Sequence, residues 1–282
     1  MQIIKSVEDI KSLDNNKIIG AENLVLNNSE IKFCGKGNIL FCGKNVKLVN
    51  SQLKFNGDGC IIYLSSNSHS YMLDVTVYKD SVFFMGKNNY MNGALHAVLS
   101  ERKNTIIGND NLFSFDIWLR TADPHLVYSA ETNKRVNPSK SVFIGDHCWL
   151  GQSAMLLKGS RLGSGSIIGA MALCSGKEMP SNTIWGGNPA KQIGSNIFWS
   201  RDSVHMWDEA KTAENETFKG KPFVYKESKN TVKYSDIDAS LEGRKAEEKL
   251  EYLNALDENG DRNRFYIKPS NNKKNRGKLW QR

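Results

Sequence analysis

The sequence lacks the features that mark membrane-spanning, secreted and zinc-binding chains. Nowhere in its 282 residues do about 18 apolar residues follow one another, and the opening MQIIKSVEDI has no basic region followed by an apolar run. The five cysteines are odd in number and form no CxxC pair, so neither a disulfide framework nor a zinc site is indicated. We therefore expect a cytoplasmic protein without a bound metal.

Acidic residues are missing from the C-terminal stretch between Arg262 and Arg282. The basic residues of this stretch are Arg262, Arg264, Lys268, Lys273, Lys274, Arg276, Lys278 and Arg282. Because the whole chain carries a formal charge of +8, the remainder is close to neutral. Such a tail can contact an acidic polymer or a membrane surface, and a solvated terminus explains it equally well. We expect no nucleic-acid partner, since few aromatic residues are interleaved with the basic ones.

What the sequence has instead is a repeat of six residues that starts at Ile144. Written in sixes, it reads IGDHCW, LGQSAM, LLKGSR, LGSGSI and IGAMAL. The lead positions are Ile144, Leu150, Leu156, Leu162 and Ile168. The fifth positions are small, namely Cys148, Ala154, Ser160, Ser166 and Ala172. A period of six fits neither a helix nor an ordinary strand, but it is typical of a parallel β-helix in which the lead residues stack inward.

The rest of the chain is organised around this coil. Residues 1–16 show helical spacing and predict a short cap over its first turn. Residues 17–198 form the coil, although residues 17–77 have irregular hexads and would also fit a separate antiparallel meander. The period breaks over residues 123–140, which predicts a loop extruded from the coil. Residues 199–282 form a mixed extension, with one predicted helix over 238–256.

Three segments give the chain a resemblance to a known family. These are TADPH, ending at His125; IGDHCWLG, followed by LKG; and GGNPAK, ending at Lys191. The pattern resembles the left-handed β-helix (hexapeptide-repeat) acyltransferases, and within them the bacterial O-acetyltransferases that modify sialic acid capsules and other surface polysaccharides. The chain departs from the family pattern at CSGK, which is one residue longer than usual, and at Trp185.

The resemblance implies roles for particular residues. His125 is the expected catalytic base, since a near-neutral imidazole suits removal of an alcohol proton; His147 is the alternative. Trp149 is expected to line the site with His125, or else to pack against a neighbouring subunit. Asp123 or Asp116 is expected to orient the base, and the sequence does not choose between them. The positions that match the family's contacts to acetyl-coenzyme A are Gln152, Ala170, Lys177 and Lys191.

The function implied is transfer of an acetyl group from acetyl-coenzyme A (acetyl-CoA) to a sugar hydroxyl of a cell-surface polysaccharide, with sialic acid as a candidate. The resemblance also implies a homotrimer in which each site takes residues from two chains. Two alternatives stay open from the sequence. One is an O-acetyltransferase for small sugars or antibiotics, and the other is a non-catalytic saccharide-binding β-helix.

Overall fold

The computed structural model describes residues 1–269 and contains mainly short strands. In chain order, the strands are β1 (Gln2–Ile4), β2 (Lys17–Ile19), β3 (Leu24–Asn27), β4 (Glu30–Phe33), β5 (Ile39–Cys42), β6 (Val46–Val49), β7 (Gln52–Phe55), β8 (Ile61–Leu64), β9 (Leu73–Val77), β10 (Val82–Met85), β11 (Tyr90–Met91), β12 (Leu95–Leu99), β13 (Thr105–Ile107), β14 (Leu112–Phe113), β15 (Ile117–Arg120), β16 (Val142–Ile144), β17 (Trp149–Leu150), β18 (Met155–Leu156), β19 (Arg161–Leu162), β20 (Ile167–Ile168), β21 (Leu173–Cys174), β22 (Glu178–Met179), β23 (Thr183–Gly186) and β24 (Lys191–Ser195). The α-helices are α1 (Glu209–Glu214), α2 (Tyr234–Leu241) and α3 (Ala246–Glu258).

The strands wind into a parallel β-helix of about seven turns with three faces. Face A has the order β1-β4-β7-β9-β12-β15-β18-β21, and face B has the order β2-β5-β8-β10-β13-β16-β19-β22. Face C contains β3-β6 and, further along, β11-β14-β17-β20-β23-β24. The chain passes from A to B to C in each turn, so three corners run along the coil: A/B, B/C and C/A. The predicted fold class is confirmed.

The turns differ in length along the coil. In the N-terminal turns, equivalent residues are 22 apart, as for Asn38 and Cys60. One turn contains the extruded loop, and its equivalents, such as Asn109 and Asp146, are 37 apart. After that turn the spacing falls to 18, which is three hexads. The six-residue period therefore describes only the C-terminal turns.

The hexad positions behave as their pattern predicts. All five lead residues and all five small residues of the predicted repeat are buried. The glycines after the lead residues serve close packing, since a Cβ on Gly145 would lie 2.6 Å from the Ser164 nitrogen. Backbone freedom is needed elsewhere, at the fourth position of each hexad. The fourth-position φ angles are 52° at His147, 55° at Ser153, 79° at Gly159, 75° at Gly165 and 56° at Met171.

Residues 17–77 belong to the same coil and do not form an antiparallel meander. Strands β2, β5 and β8 pair in parallel on face B, and β4, β7 and β9 do so on face A. Inside this part, Phe33 and Phe55 stack with ring centroids 4.5 Å apart. Asn28 and Asn50 turn corners with φ of 47° each, a left-handed backbone conformation that asparagine tolerates.

The first residues cover the open end of the coil. Strand β1 pairs antiparallel with β4, and a 3-10 helix follows at Glu8–Ser12. Ile10 and Leu13 pack against the core at this end. An antiparallel strand at the edge stops the parallel ladder from continuing into another chain. The proposed domain boundaries at residues 16 and 198 stay predictions.

The C-terminal extension packs on the outer side of face B. Ile237, Leu253 and Leu256 of helices α2 and α3 join a second apolar cluster with outward residues of that face, among them Tyr63 and Phe84. The prediction of a single helix over 238–256 is wrong, because the chain turns at Gly243 with φ of 70° between the two helices. None of the helices within residues 1–269 is long and apolar enough to cross a membrane.

A buried ion pair joins the extension to the coil. Arg264 is 1% exposed, and its Nη2 and Nε donate to the two carboxylate oxygens of Asp146 at 2.9 and 3.0 Å. Its Nη1 also donates to the carbonyls of Leu256 and Asn259, at the end of α3. Arg264 therefore does not belong to a solvated basic tail, which corrects that expectation. The remaining basic residues from Lys273 onward lie outside the described residues.

We predict that Arg264→Met lowers the free energy of unfolding by about 3 to 5 kcal/mol, because it leaves the Asp146 carboxylate buried without a counter-charge. Burial already raises the pKa of Asp146, and the Arg264 charge opposes that rise. Urea denaturation measures the change. The control is Lys268→Met, whose exposed pair with Glu227 should contribute less than about 1 kcal/mol. A loss below about 1 kcal/mol in Arg264→Met would show that the pair is not a structural anchor.

Candidate active site

The extruded loop leaves the coil at the A/B corner, between the end of β15 at Arg120 and the start of β16 at Val142. It folds back on itself through an antiparallel bridge between Tyr128 and Arg135. The His125 side chain is exposed on this loop. An exposed imidazole on a loop that is fixed at its base is accessible to a substrate from outside the coil.

Two ion pairs hold the loop against the turns before and after it. Arg135 donates to both carboxylate oxygens of Glu101, at 2.7 and 2.9 Å, and Ser139 also hydrogen-bonds to Glu101. The Arg135 hydrogen bonds, with that of Ser139, lower the pKa of Glu101 to about 2. On the other side, Lys158 donates to Asp123, and this contact lowers the pKa of the Asp123 carboxyl. The loop therefore lies along the A/B corner.

Asn137 fixes the backbone around His125. Its Nδ2 donates to the His125 carbonyl at 2.8 Å and to Asp123 at 3.0 Å, and its Oδ1 accepts from the Val127 amide at 2.9 Å. The sequence reasoning missed this residue, because a lone asparagine in a polar loop carries no pattern. Its place between the two ends of the loop gives it a positioning role.

Neither predicted carboxylate contacts the His125 imidazole. Asp123 binds Lys158 and Asn137, whereas Asp116 accepts hydrogen bonds from Trp118 Nε1 and Ser153. Among the contacts of residues 1–269, the His125 ring makes no hydrogen bond to either acid. The structure therefore does not bring an orienting carboxylate to the predicted base.

Trp149 points outward from face C and is 40% exposed. Its neighbours in the ladder are Leu112 on one side and Ile167 on the other. The ring of Trp199, from the extension, lies with its centroid 6.1 Å away at an angle of 44°. Trp149 thus lines an open aromatic surface.

His147, the alternative base, is held in a tight pair with Trp199. The two rings stack with centroids 4.1 Å apart at 8°, and Trp199 Nε1 donates to the His147 carbonyl at 2.9 Å. His147 Nε2 lies 3.2 Å from the Trp199 carbonyl, to which only a protonated nitrogen can donate. Burial lowers the pKa of His147. Because Nε2 faces this carbonyl and Trp199 covers one ring face, only Nδ1 of His147 could accept a substrate proton.

The four residues matched to acetyl-CoA contacts lie at two different corners. Gln152 and Ala170 are exposed at the C/A corner on consecutive turns, where the Met171 amide donates to the Gln152 carbonyl at 2.8 Å. Lys191 begins β24 on face C, after the chain has turned at the same corner. Lys177 lies at the A/B corner, on the side of the coil that carries His125.

The predicted site is therefore divided between the two edges of face A. His125 and Lys177 lie on one edge, whereas Gln152, Ala170 and Lys191 lie on the other. The ion pairs of the loop with Glu101 and Lys158 hold His125 at its own edge. Within the described part of one chain, the two groups of residues therefore stay at separate corners. Residues 1–269 contain no group of three or more metal-ligating side chains.

Comparison with known proteins agrees with this architecture. No protein-family profile matches the chain. It is 27% identical to a polysialic acid O-acetyltransferase of Neisseria meningitidis over 198 residues, which cover 69% of this chain and 91% of that enzyme. A polysialic acid O-acetyltransferase of Escherichia coli O1:K1 / APEC is 30% identical over 128 residues, 45% of this chain but only 41% of that enzyme.

A solved structure extends the comparison to the fold. The polysialic acid O-acetyltransferase OatWY superposes with a TM-score of 0.60 at 26% identity, over 73% of this chain and 97% of that one. A coil that matches nearly the whole of a known acetyltransferase carries the same architecture. The chain is thus similar in sequence and in fold to the polysialic acid O-acetyltransferases.

Proposed function

We propose that the protein transfers the acetyl group of acetyl-CoA to a hydroxyl of a capsular polysaccharide, with sialic acid as the sugar. The observation that carries this proposal is the similarity over 91% of the Neisseria meningitidis polysialic acid O-acetyltransferase, together with the match to OatWY. The dependence on acetyl-CoA is inferred from the family. Incubation with acetyl-CoA and a panel of purified polysaccharides, small sugars and chloramphenicol, followed by mass spectrometry, tests it; a product formed only from a small molecule would favour that alternative.

The proposed reaction needs one base and one hydrogen-bond donor. His125 accepts the proton of the acceptor hydroxyl while the oxygen attacks the acetyl carbonyl carbon. The C–O bond forms and the C–S bond breaks, and the protonated imidazole returns its proton to the departing thiolate. Trp149 Nε1 is a donor suited to the oxygen on which negative charge develops. No covalent acetyl-enzyme is required.

The cofactor arm is proposed to lie along the C/A corner. Gln152 and Ala170 are exposed on consecutive turns of this corner. The short Ala170 side chain leaves room beside the backbone. Lys191 is exposed and makes no ion pair with the described residues, so its charge is available for a phosphate group. Lys177 would join the site from the neighbouring chain, together with His125.

A homotrimer is the proposed assembly, because the site is divided between the two edges of face A. Three coils around a three-fold axis bring the A/B corner of each to the C/A corner of the next and leave neither edge of face A unmatched. The loop also carries exposed apolar side chains suited to such an interface. They are Leu126, Val127, Tyr128 and Val136.

The cytoplasm is the proposed compartment, since acetyl-CoA is made there. Four of the five thiols are buried, and burial raises the pKa of Cys42, Cys60, Cys148 and Cys174 to about 12. Unpaired buried thiols fit a reducing environment. Contact of the basic C-terminal tail with a polyanion or a membrane surface stays a prediction, and most of that tail lies outside the described residues.

We predict that His125→Ala lowers turnover roughly 10²- to 10⁴-fold, because general base catalysis is lost. The fold and the affinity for coenzyme A should stay nearly unchanged, since the base acts on the acceptor proton. Steady-state kinetics and coenzyme A titration measure both quantities. The control is His205→Ala, an exposed histidine of the extension, which should keep normal turnover. If His125→Ala kept more than about a tenth of the rate, His125 would lose its role.

A subunit-mixing experiment tests the division of the site. Trimers of His125→Ala alone and of Trp149→Ala alone should both be nearly inactive. In trimers formed from an equal mixture, about a quarter of the sites pair an intact His125 with an intact Trp149 of the next chain, so about a quarter of wild-type activity should return. Ala170→Trp, which would fill the cofactor corner, can replace Trp149→Ala.

The mixture gives opposite results for a site within one chain. No chain in it has both side chains intact, so an intrachain site would remain inactive at every mixing ratio. A monomer by light scattering that is fully active would also contradict the trimer.

A further inference from the structure

A row of outward-facing side chains, two of them exposed and one half-buried, runs along the outer surface of face C. Tyr90, Leu112 and Trp149 occupy equivalent positions on three consecutive turns. Tyr90 is 37% exposed and Trp149 is 40% exposed. Since neighbouring strands are about 4.8 Å apart, the two aromatic residues are roughly 10 Å from each other along the coil. That distance is comparable to the length of a disaccharide.

Residues 199–201 of the extension border this row along the B/C corner. Trp199 stacks on His147, which is two residues before Trp149. Arg201 Nη2 donates to the carbonyls of Asp110 at 2.6 Å and Asn88 at 3.4 Å. These carbonyls precede Leu112 and Tyr90 by the same two residues. The extension therefore contacts the residue two positions before each member of the row. These contacts place the Trp199 indole and the Arg201 guanidinium beside the row.

The guanidinium of Arg201 is available for an anion. Its side chain is exposed, and it forms no ion pair with any residue in the described range 1–269. Its hydrogen bonds to the coil use only Nη2, so Nε and Nη1 have no acceptor within residues 1–269. The nearby Asp202 accepts instead from Ser200 Oγ at 2.5 Å.

A second cation lies close to the same surface. The guanidinium carbon of Arg262 is 3.2 Å from the ring centroid of Phe223. Burial is the main cause of the lowered pKa of His147, but the charges of Arg201 and Arg262 also lower it, whereas that of Asp110 raises it. The charges of both arginines therefore act on the His147 imidazole.

We propose that Tyr90, Trp149, Trp199 and Arg201 form the acceptor subsite, which binds an acidic sugar residue next to the one that is acetylated. The apolar side of a sugar ring packs on the indoles, and its carboxylate pairs with Arg201, whose planar fork matches a carboxylate. This inference rests on the proposed function and deepens it. It assigns recognition of the acidic sugar to the extension, while the coil holds the predicted chemistry.

The test compares an acidic oligosaccharide with its neutral counterpart. The probes are a sialic acid tetramer and the same tetramer with its carboxyl groups reduced to alcohols. Binding is followed without acetyl-CoA through the fluorescence of the tryptophans, and acetyl transfer is measured separately. Arg201→Met should weaken binding of the acidic tetramer by about tenfold or more, because a charge-assisted hydrogen-bonded pair is lost. Arg201→Lys should give an intermediate affinity.

The neutral tetramer and a distant arginine supply the controls. Wild type and Arg201→Met should bind the reduced tetramer with equal, weak affinity. Arg244→Met removes the same charge from the exposed turn between α2 and α3, over face B, and should leave every affinity unchanged. Trp199→Phe should bind both tetramers better than Trp199→Leu. The KM for acetyl-CoA should not change in Arg201→Met.

Several outcomes would overturn the subsite. Equal affinity of wild type and Arg201→Met for the acidic tetramer would do so, as would a wild type that binds neither tetramer. A changed oligomeric mass of Arg201→Met would show that another copy of the chain covers this surface. Failure of the proposed function looks different, because wild type would then acetylate none of the polysaccharides, whatever the binding measurements show.

Discussion

The in-register stacking of successive turns is the constraint on which the rest of the structure depends. Each strand satisfies its backbone groups with the equivalent strand of the next turn, so inward side chains form columns and corners form straight edges. A residue at a corner is thus fixed relative to its equivalents on all other turns. This rigidity holds the loop that carries His125 at one edge of face A and the exposed Gln152 and Ala170 at the other.

The sequence predicted the C-terminal turns well because their constraint is local. The lead residues repeat every six positions, and all are buried. The 22-residue period of the earlier turns was also present, since EIKFCGKGNIL and QLKFNGDGCII align at that spacing. A search for hexads does not detect this period, because 22 is not a multiple of six. One helix was predicted over 238–256 instead of two, because the leucines keep an apolar pattern on both sides of Gly243.

The candidate site was less accessible to sequence reasoning. The motifs identified His125 and Trp149. Their separate positions, at the A/B corner and on face C, follow from the winding of the coil. Trp199 acts on His147 from 52 residues away, and Arg264 reaches Asp146 across 118 residues. Neither pair leaves a periodic signal, and the aromatic run from Phe198 to Trp207 gave no spacing to interpret. Contacts of this kind depend on where the extension packs.

The ion pair between Arg264 and Asp146 connects packing of the extension with the chemistry of face C. Asp146 immediately precedes His147, which holds Trp199 beside Trp149. If the part of the extension that carries Arg264 detached, Asp146 would lose its buried counter-charge. Detachment would therefore carry a high energetic cost, because a buried carboxylate without a partner is strongly unfavourable. The ion pair thus fixes the extension to the coil one residue before His147, on which Trp199 of the proposed acceptor subsite stacks.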